Sequence, residues 1–134
     1  MPKVLITDDE GSIRRTLKEI LQFEKYEVDE AADGLECLAK LKQTAYDVIL
    51  LDIKMPKMNG YNAAKIIKAI KPNLPIIAQS AYALENEIAE YINIFDDYLT
   101  KPIKSNDLKN VVQRYVELKL FNKCLLFKLL RFNP

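Results

Sequence analysis

Val48-Ile49-Leu50-Leu51-Asp52-Ile53-Lys54-Met55-Pro56-Lys57-Met58-Asn59-Gly60 is the stretch on which the fold turns. Its first four residues are apolar without a break, and such a short continuous run suits a central strand covered on both faces. The run stops at a carboxylate, Asp52. A loop rich in helix breakers follows, with Pro56, Asn59 and Gly60 close together.

Working outward, the same alternation recurs on both sides. Upstream, Lys3 to Thr7 is a β-rich run that ends abruptly in Asp8-Asp9-Glu10. Ile13, Leu17, Ile20 and Leu21 then recur at helical spacing, with Ser12 as the expected N-cap. Tyr26 to Glu30 reads as a weak, partly exposed strand, and Gly34 opens a helix marked by Leu35, Leu38 and Leu41. Downstream, Ala63, Ala64, Ile67 and Ile70 mark a third helix, and Pro75 to Ala78 a fourth strand running into Gln79-Ser80. Leu84, Ile88, Tyr91 and Ile92 give a fourth helix, Tyr98 to Thr100 a fifth strand, and Leu108, Val111, Val112 and Tyr115 a fifth helix. Five strands alternating with five helices imply right-handed crossovers and a doubly wound parallel α/β sheet. One domain is expected over residues 1 to 117, with an apolar and basic extension over 118–134.

Composition narrows the classes. The chain has 134 residues, 49% apolar and 29% charged, as an ordinary globular domain does. A net charge of +1, with acids and bases mixed, gives no field for nucleic acid. There is no signal-like segment and no bilayer-length apolar run, so the cytoplasm is the expected compartment. Cys37 and Cys124 match no ligand spacing and read as idle thiols. The absence of histidine excludes His-based triads and the usual zinc sites.

In an open parallel sheet, ligands sit beyond the carboxyl ends of the strands. Asp8 and Asp9, Asp52, Ser80 and Lys101 all fall there. Clustered carboxylates raise one another's pKa unless a cation relieves them. Oxygen-only donors around a small open site favour Mg²⁺ together with phosphate oxygens. An aspartate there is a nucleophile toward phosphorus, giving an acyl phosphate, with Lys101 as a point charge and Ser80 as a donor.

On Asp8-Asp9-Glu10, Asp52-Ile53-Lys54-Met55-Pro56 with Asn59-Gly60, Ser80-Ala81, and Tyr98-Leu99-Thr100-Lys101-Pro102, the chain resembles the receiver domains of two-component response regulators. The resemblance covers residues 2 to about 117 and implies a flavodoxin-like sheet of order 2-1-3-4-5. It implies that Asp52 is the phosphoacceptor, that Asp9 binds metal directly, and that Asp8 binds it mainly through water. The Lys54 carbonyl is implied as a further ligand, and Mn²⁺ as a substitute for Mg²⁺. Ser80 and Lys101 are implied to grip the phosphoryl group, Lys101-Pro102 to be a cis peptide, and Tyr98 to turn inward as a switch with Ser80. The side chains of Lys54 and Tyr82 are the expected lifetime-tuning positions, and a bulky Tyr82 predicts slow loss of the phosphoryl group. The implied donor is a sensor histidine kinase or histidine phosphotransfer protein, since this chain has no histidine. The implied output is a shift of the fourth helix, fifth strand and fifth helix toward a downstream protein or output domain, with no direct nucleic-acid contact. A homodimer through that face or through the extension is a further expectation. The chain is expected to accept a phosphoryl group, assist its own transfer and slow dephosphorylation, and not act as a turnover enzyme.

Three rival classes each want a residue pattern of their own. A haloacid-dehalogenase-type phosphohydrolase needs a second acid two residues after its nucleophile, where this chain has Lys54. A receiver-like interaction module that is never phosphorylated usually lacks an acid or the lysine. A flavodoxin-like nucleotide binder wants a Gly-rich loop after its first strand.

Two departures from the family pattern stand out. Asn93-Ile94-Phe95 replaces the family's Gly-containing loop before the fifth strand. The 118–134 segment holds four bases and no acid among many large apolar residues. It reads as an extension of the fifth helix onto a partner or a second copy, as a basic amphipathic helix at a membrane surface, or as a linker or vector-derived remnant. Apolar residues spread around most of its circumference, which counts against the membrane. The sequence leaves a stand-alone regulator and a receiver from a larger or hybrid protein equally open.

Overall fold

The computed structural model describes residues 1–55, 58–81 and 94–131. Along these the order is β1 (Lys3–Thr7), α1 (Gly11–Phe23), β2 (Glu27–Ala31), α2 (Gly34–Gln43), β3 (Val48–Asp52), α3 (Gly60–Ile70), β4 (Ile76–Ser80), β5 (Asp97–Thr100) and α4 (Ser105–Arg131). All strand pairs are parallel, in the order β2-β1-β3-β4-β5. The helix expected over Leu84 to Ile92 and the position Tyr82 lie outside the described residues. The last helix, α4, is the fifth of the sequence reading.

Strand alternation sends successive side chains to opposite faces, and each face has its own core. Leu5, Ile49, Leu51, Ile76 and Ala78 pack beneath α2 and α3, with Cys37, Leu41, Ala63 and Ile67 closing that side. Val4, Ile6, Leu50, Ile77 and Leu99 pack beneath α1 and α4, against Leu17, Leu21, Leu108 and Val112. Every residue of β3 is buried, as its unbroken apolar run requires.

The end of α1 differs from expectation at both termini. Ser12 is not the N-cap: Glu10 holds that position in extended backbone, and Gly11 is already helical. Glu10 makes no side-chain cap; its N–H instead donates to Asp8 Oδ1 at 2.9 Å. The acid that ends β1 therefore takes over the turn. At the other end Lys25 sits at φ 67, the left-handed region that usually falls to glycine. β2 begins at Glu27, one residue later than the alternation suggested.

On the face it shares with α1, α4 runs past residue 117 without interruption to Arg131. Lys119 Nζ pairs with Asp47 Oδ1 at 2.6 Å, just ahead of β3. That contact fixes where the helix leaves the domain.

Candidate functional site

The carboxyl ends of β1 and β3 carry Asp8 and Asp52 on one face of the sheet, since Thr7 pairs with Leu51 and the next residues follow in register. Asp8 is fully buried and Asp52 is 4% exposed. Two buried carboxylates side by side repel, so each needs a partner. Lys101 supplies it. Its ammonium lies 2.9 Å from Asp8 Oδ2 and 3.3 Å from Asp52 Oδ2. Burial opposes the charge on Lys101, but contacts with Asp8 and Asp52 outweigh it and hold its pKa above the ordinary value.

Asp52 is pushed up to about 6, first by burial and then by the charge of Asp8; Lys101 and the Lys54 N–H pull the other way. Neutralisation by one lysine is therefore incomplete. Asp8 Oδ1 takes the Glu10 N–H, but Asp8 Oδ2 is buried without a hydrogen bond of good geometry despite the nearby ammonium. Asp9 is exposed, and its carboxylate joins those of Asp8 and Asp52 in a group whose oxygens lie within 4.8 Å of one another. An excess of hard oxygen donors, with one orphaned lone pair among them, fits a small divalent cation such as Mg²⁺.

The surrounding backbone is built to hold this geometry. Asp52 Oδ1 accepts from the Lys54 N–H at 3.3 Å, and the Lys54 side chain is exposed. Gly60 N–H donates to the Ile53 carbonyl at 2.8 Å, drawing the start of α3 against the end of β3. A Cβ on Gly60 would meet the Asp52 carbonyl oxygen at 2.2 Å, so only glycine permits this approach. Asn59 caps α3 by accepting the Asn62 N–H at 2.8 Å. On the other flank, the Lys101 N–H donates to the Ser80 carbonyl at 2.7 Å, and the Lys101-Pro102 bond is cis, as expected from sequence.

Ser80 ends β4 on the face opposite Asp52. The register Ala78↔Tyr98 puts Ser80 and Tyr98 on the same face, towards α3. The Tyr98 ring is packed inward against that core and meets Phe95 edge-on at 6.0 Å. Its hydroxyl is buried and has no partner among the described residues. Burial, then the charge of Asp97, raises its pKa.

The structure thus brings together Asp8, Asp9, Asp52 and Lys101, with Lys54 and Ser80 on the adjoining loop and strand end and Tyr98 beneath Ser80. Tyr82 lies outside the described residues. Two residues were missed by the sequence reading. Gln79 is fully buried with neither amide atom hydrogen-bonded among the described residues, and its register partner is Asp52. Asp96 clamps the loop before β5, accepting the Ile76 N–H and the Lys68 ammonium, each at 2.8 Å. A polar residue inside an apolar run was the available signal for Gln79; Asp96 gave none.

Comparison with known proteins agrees with this geometry. The family model of the response regulator receiver domain matches residues 4–113. The transcriptional regulatory protein ResD of Bacillus subtilis is 36% identical over 125 residues, covering 90% of this chain and 52% of ResD. The chain therefore spans about half the length of that relative. The chemotaxis protein CheY of Thermotoga maritima is 39% identical over 104 residues, covering 76% of this chain and 87% of CheY. Among solved structures, the response regulator TrrA of Thermotoga maritima, in complex with Mg²⁺ and BeF, superposes with a TM-score of 0.80 at 36% identity, covering 86% of this chain and 99% of TrrA.

Proposed function

This chain belongs to the response regulator receiver domain family, the phosphoacceptor domains of two-component signalling, and we propose that Asp52 is its acceptor. One observation carries the assignment. A single lysine bridges Asp8 and Asp52 at 2.9 and 3.3 Å, while oxygens of three carboxylates, Asp9 included, lie within 4.8 Å of one another. That arrangement is costly unless a cation and an anion share the pocket.

In the proposed reaction an Asp52 oxygen attacks phosphorus. The new P–O bond forms as the P–N bond to the partner's phosphohistidine breaks, and the imidazole leaves. Receivers work with histidine kinases or histidine phosphotransfer proteins; either supplies the phosphohistidine. Asp8, Asp9, Asp52 and the Lys54 carbonyl would hold Mg²⁺, with Mn²⁺ as substitute, which when bound neutralises charge on the acceptor and on phosphoryl oxygens. Lys101 already stands between the two buried acids and turns to the incoming oxygens as a point charge. The Ser80 hydroxyl donates to another oxygen, and Tyr98, on the same face, follows it. The modification biases an existing equilibrium of the β5–α4 face, and the chain is an acceptor, not a turnover enzyme. Lys54, exposed beside Asp52, and Tyr82 tune the lifetime. A half-life of seconds for the acyl phosphate in Mg²⁺ would contradict the shielding assigned to Tyr82. Among the described residues, no helix is long and apolar enough to cross a membrane, and we place the reaction in the cytoplasm.

The test is titration of wild type and Asp52→Asn with beryllium fluoride and Mg²⁺, followed by NMR shifts around Tyr98. Saturable shifts in wild type alone support the assignment. Flat responses in both favour the interaction module that is never phosphorylated.

A further inference from the structure

The helix α4 outlives the domain it packs on. Leu108, Val112 and Val116 are buried against the sheet, but from Leu118 onward the large apolar side chains stand in solvent. Phe121 is 62% exposed, Leu126 58% and Leu129 62%, so these apolar side chains are left uncovered by the described residues. Residues 118–131 extend the helix by about 20 Å at 1.5 Å per residue. The Lys119–Asp47 ion pair sets the exit at the amino-terminal edge of the sheet, opposite Asp52.

We propose that this extension lies in the plane of an anionic lipid surface. Spacing at 100° per residue leaves roughly half the circumference, from Lys128 round to Lys119, free of charge. Phe121, Leu125, Leu118, Leu129 and Leu126 fill that half, with Asn122 among them. Lys119, held by Asp47, and Lys128 mark its two borders; the Lys128 stem reaches to headgroup level while its ammonium group stays wet. The 118–134 segment holds four bases and no acid, which complements anionic headgroups.

A second copy of the chain fits less well. Its seam would be Leu118, Asn122, Leu125 and Leu129, only about two heptads long. Lys128 would flank that seam with no acid in the segment to pair, while Lys119 is already held by Asp47. Leu120, Phe127 and Leu130 would also remain in water, exposed as they are now. On a lipid surface these three also stay on the charged half of the helix, so the bases and the short seam decide between the two. No described helix is apolar enough to span the bilayer, so the geometry is in-plane.

The experiment is co-sedimentation of the full chain with phosphatidylcholine vesicles, with and without about a third phosphatidylglycerol, alongside analytical ultracentrifugation without lipid. Binding to the anionic vesicles alone, weakened by salt, is expected. At roughly fivefold per base, K123Q/K128Q lowers that affinity about thirty-fold. Leu125→Glu abolishes it, with the circular dichroism of the domain unchanged. Failure to pellet with anionic vesicles overturns the proposal. So does a micromolar dimer in the absence of lipid that Leu125→Glu dissociates. Beryllium fluoride binding to the same samples is read separately, so loss at Asp52 and loss at the extension are distinguishable.

Discussion

Lys101 is the side chain whose removal separates the acceptor pocket's stability from its chemistry. In Lys101→Met, Asp8 and Asp52 stay buried without their cation, which costs on the order of 3 kcal/mol in metal-free buffer. Mg²⁺ should restore part of that loss in urea titrations, because its oxygen ligands remain; no recovery would mean the three carboxylates do not form a metal site. Gln79 behaves in the opposite sense. Its amide is buried beside Asp52 with no hydrogen bond, and an apolar side chain of similar size removes that burden. Gln79→Leu should gain about 1–2 kcal/mol by urea denaturation. Equal or lower stability would mean that an ordered water already satisfies the amide. Both residues act through solvation of polar atoms in a dry interior, which a linear sequence does not display.

Among the elements, the ends of α1 and α4 carry the informative strain and charge. Lys25 closes α1 at positive φ, where an L side chain meets its own carbonyl. Lys25→Gly should raise stability by up to about 1 kcal/mol, and a loss would show that the lysine stem packs usefully. Burial tends to raise the pKa of Asp47, but hydrogen bonds from Lys119 and the Lys3 N–H hold it below the ordinary carboxylate value. A folded pKa below the unfolded one means that this anchor contributes above about pH 4, the unfolded value, and is lost as pH falls through the folded pKa. The stability difference between wild type and Lys119→Gln should therefore be present at pH 6 and shrink as the pH is lowered below about 4. A difference that does not change with pH over that range would remove Asp47 from the anchor. Gly60 shows the same dependence on neighbours: an added Cβ would meet the Asp52 carbonyl oxygen at 2.2 Å and the Ile53 Cα at 2.8 Å, which explains why it must be glycine.

At the scale of the molecule, a folded domain carries a helix longer than it covers. A chain ending at Lys119 keeps both cores and the Asp47 pair, so its thermal midpoint should match the full chain within about 2 °C; a large drop would mean the extension packs on the domain. Most of the architecture was legible beforehand, because alternation of apolar runs with helical spacing is a local signal repeated along the chain. The unbroken run of β3, the acids that end β1 and β3, and the breakers around Asn59-Gly60 already fixed a parallel sheet with polar groups on one edge. What the residues alone determined is this list of strands, helices and strand-end donors, since each is written in the spacing of a few neighbours. Only the tertiary structure decided that Lys101 spans two buried acids, that Gln79 lies orphaned beside Asp52, and that α4 leaves the domain opposite the pocket. Those facts depend on distances between segments far apart in sequence, and packing, not local spacing, sets such distances.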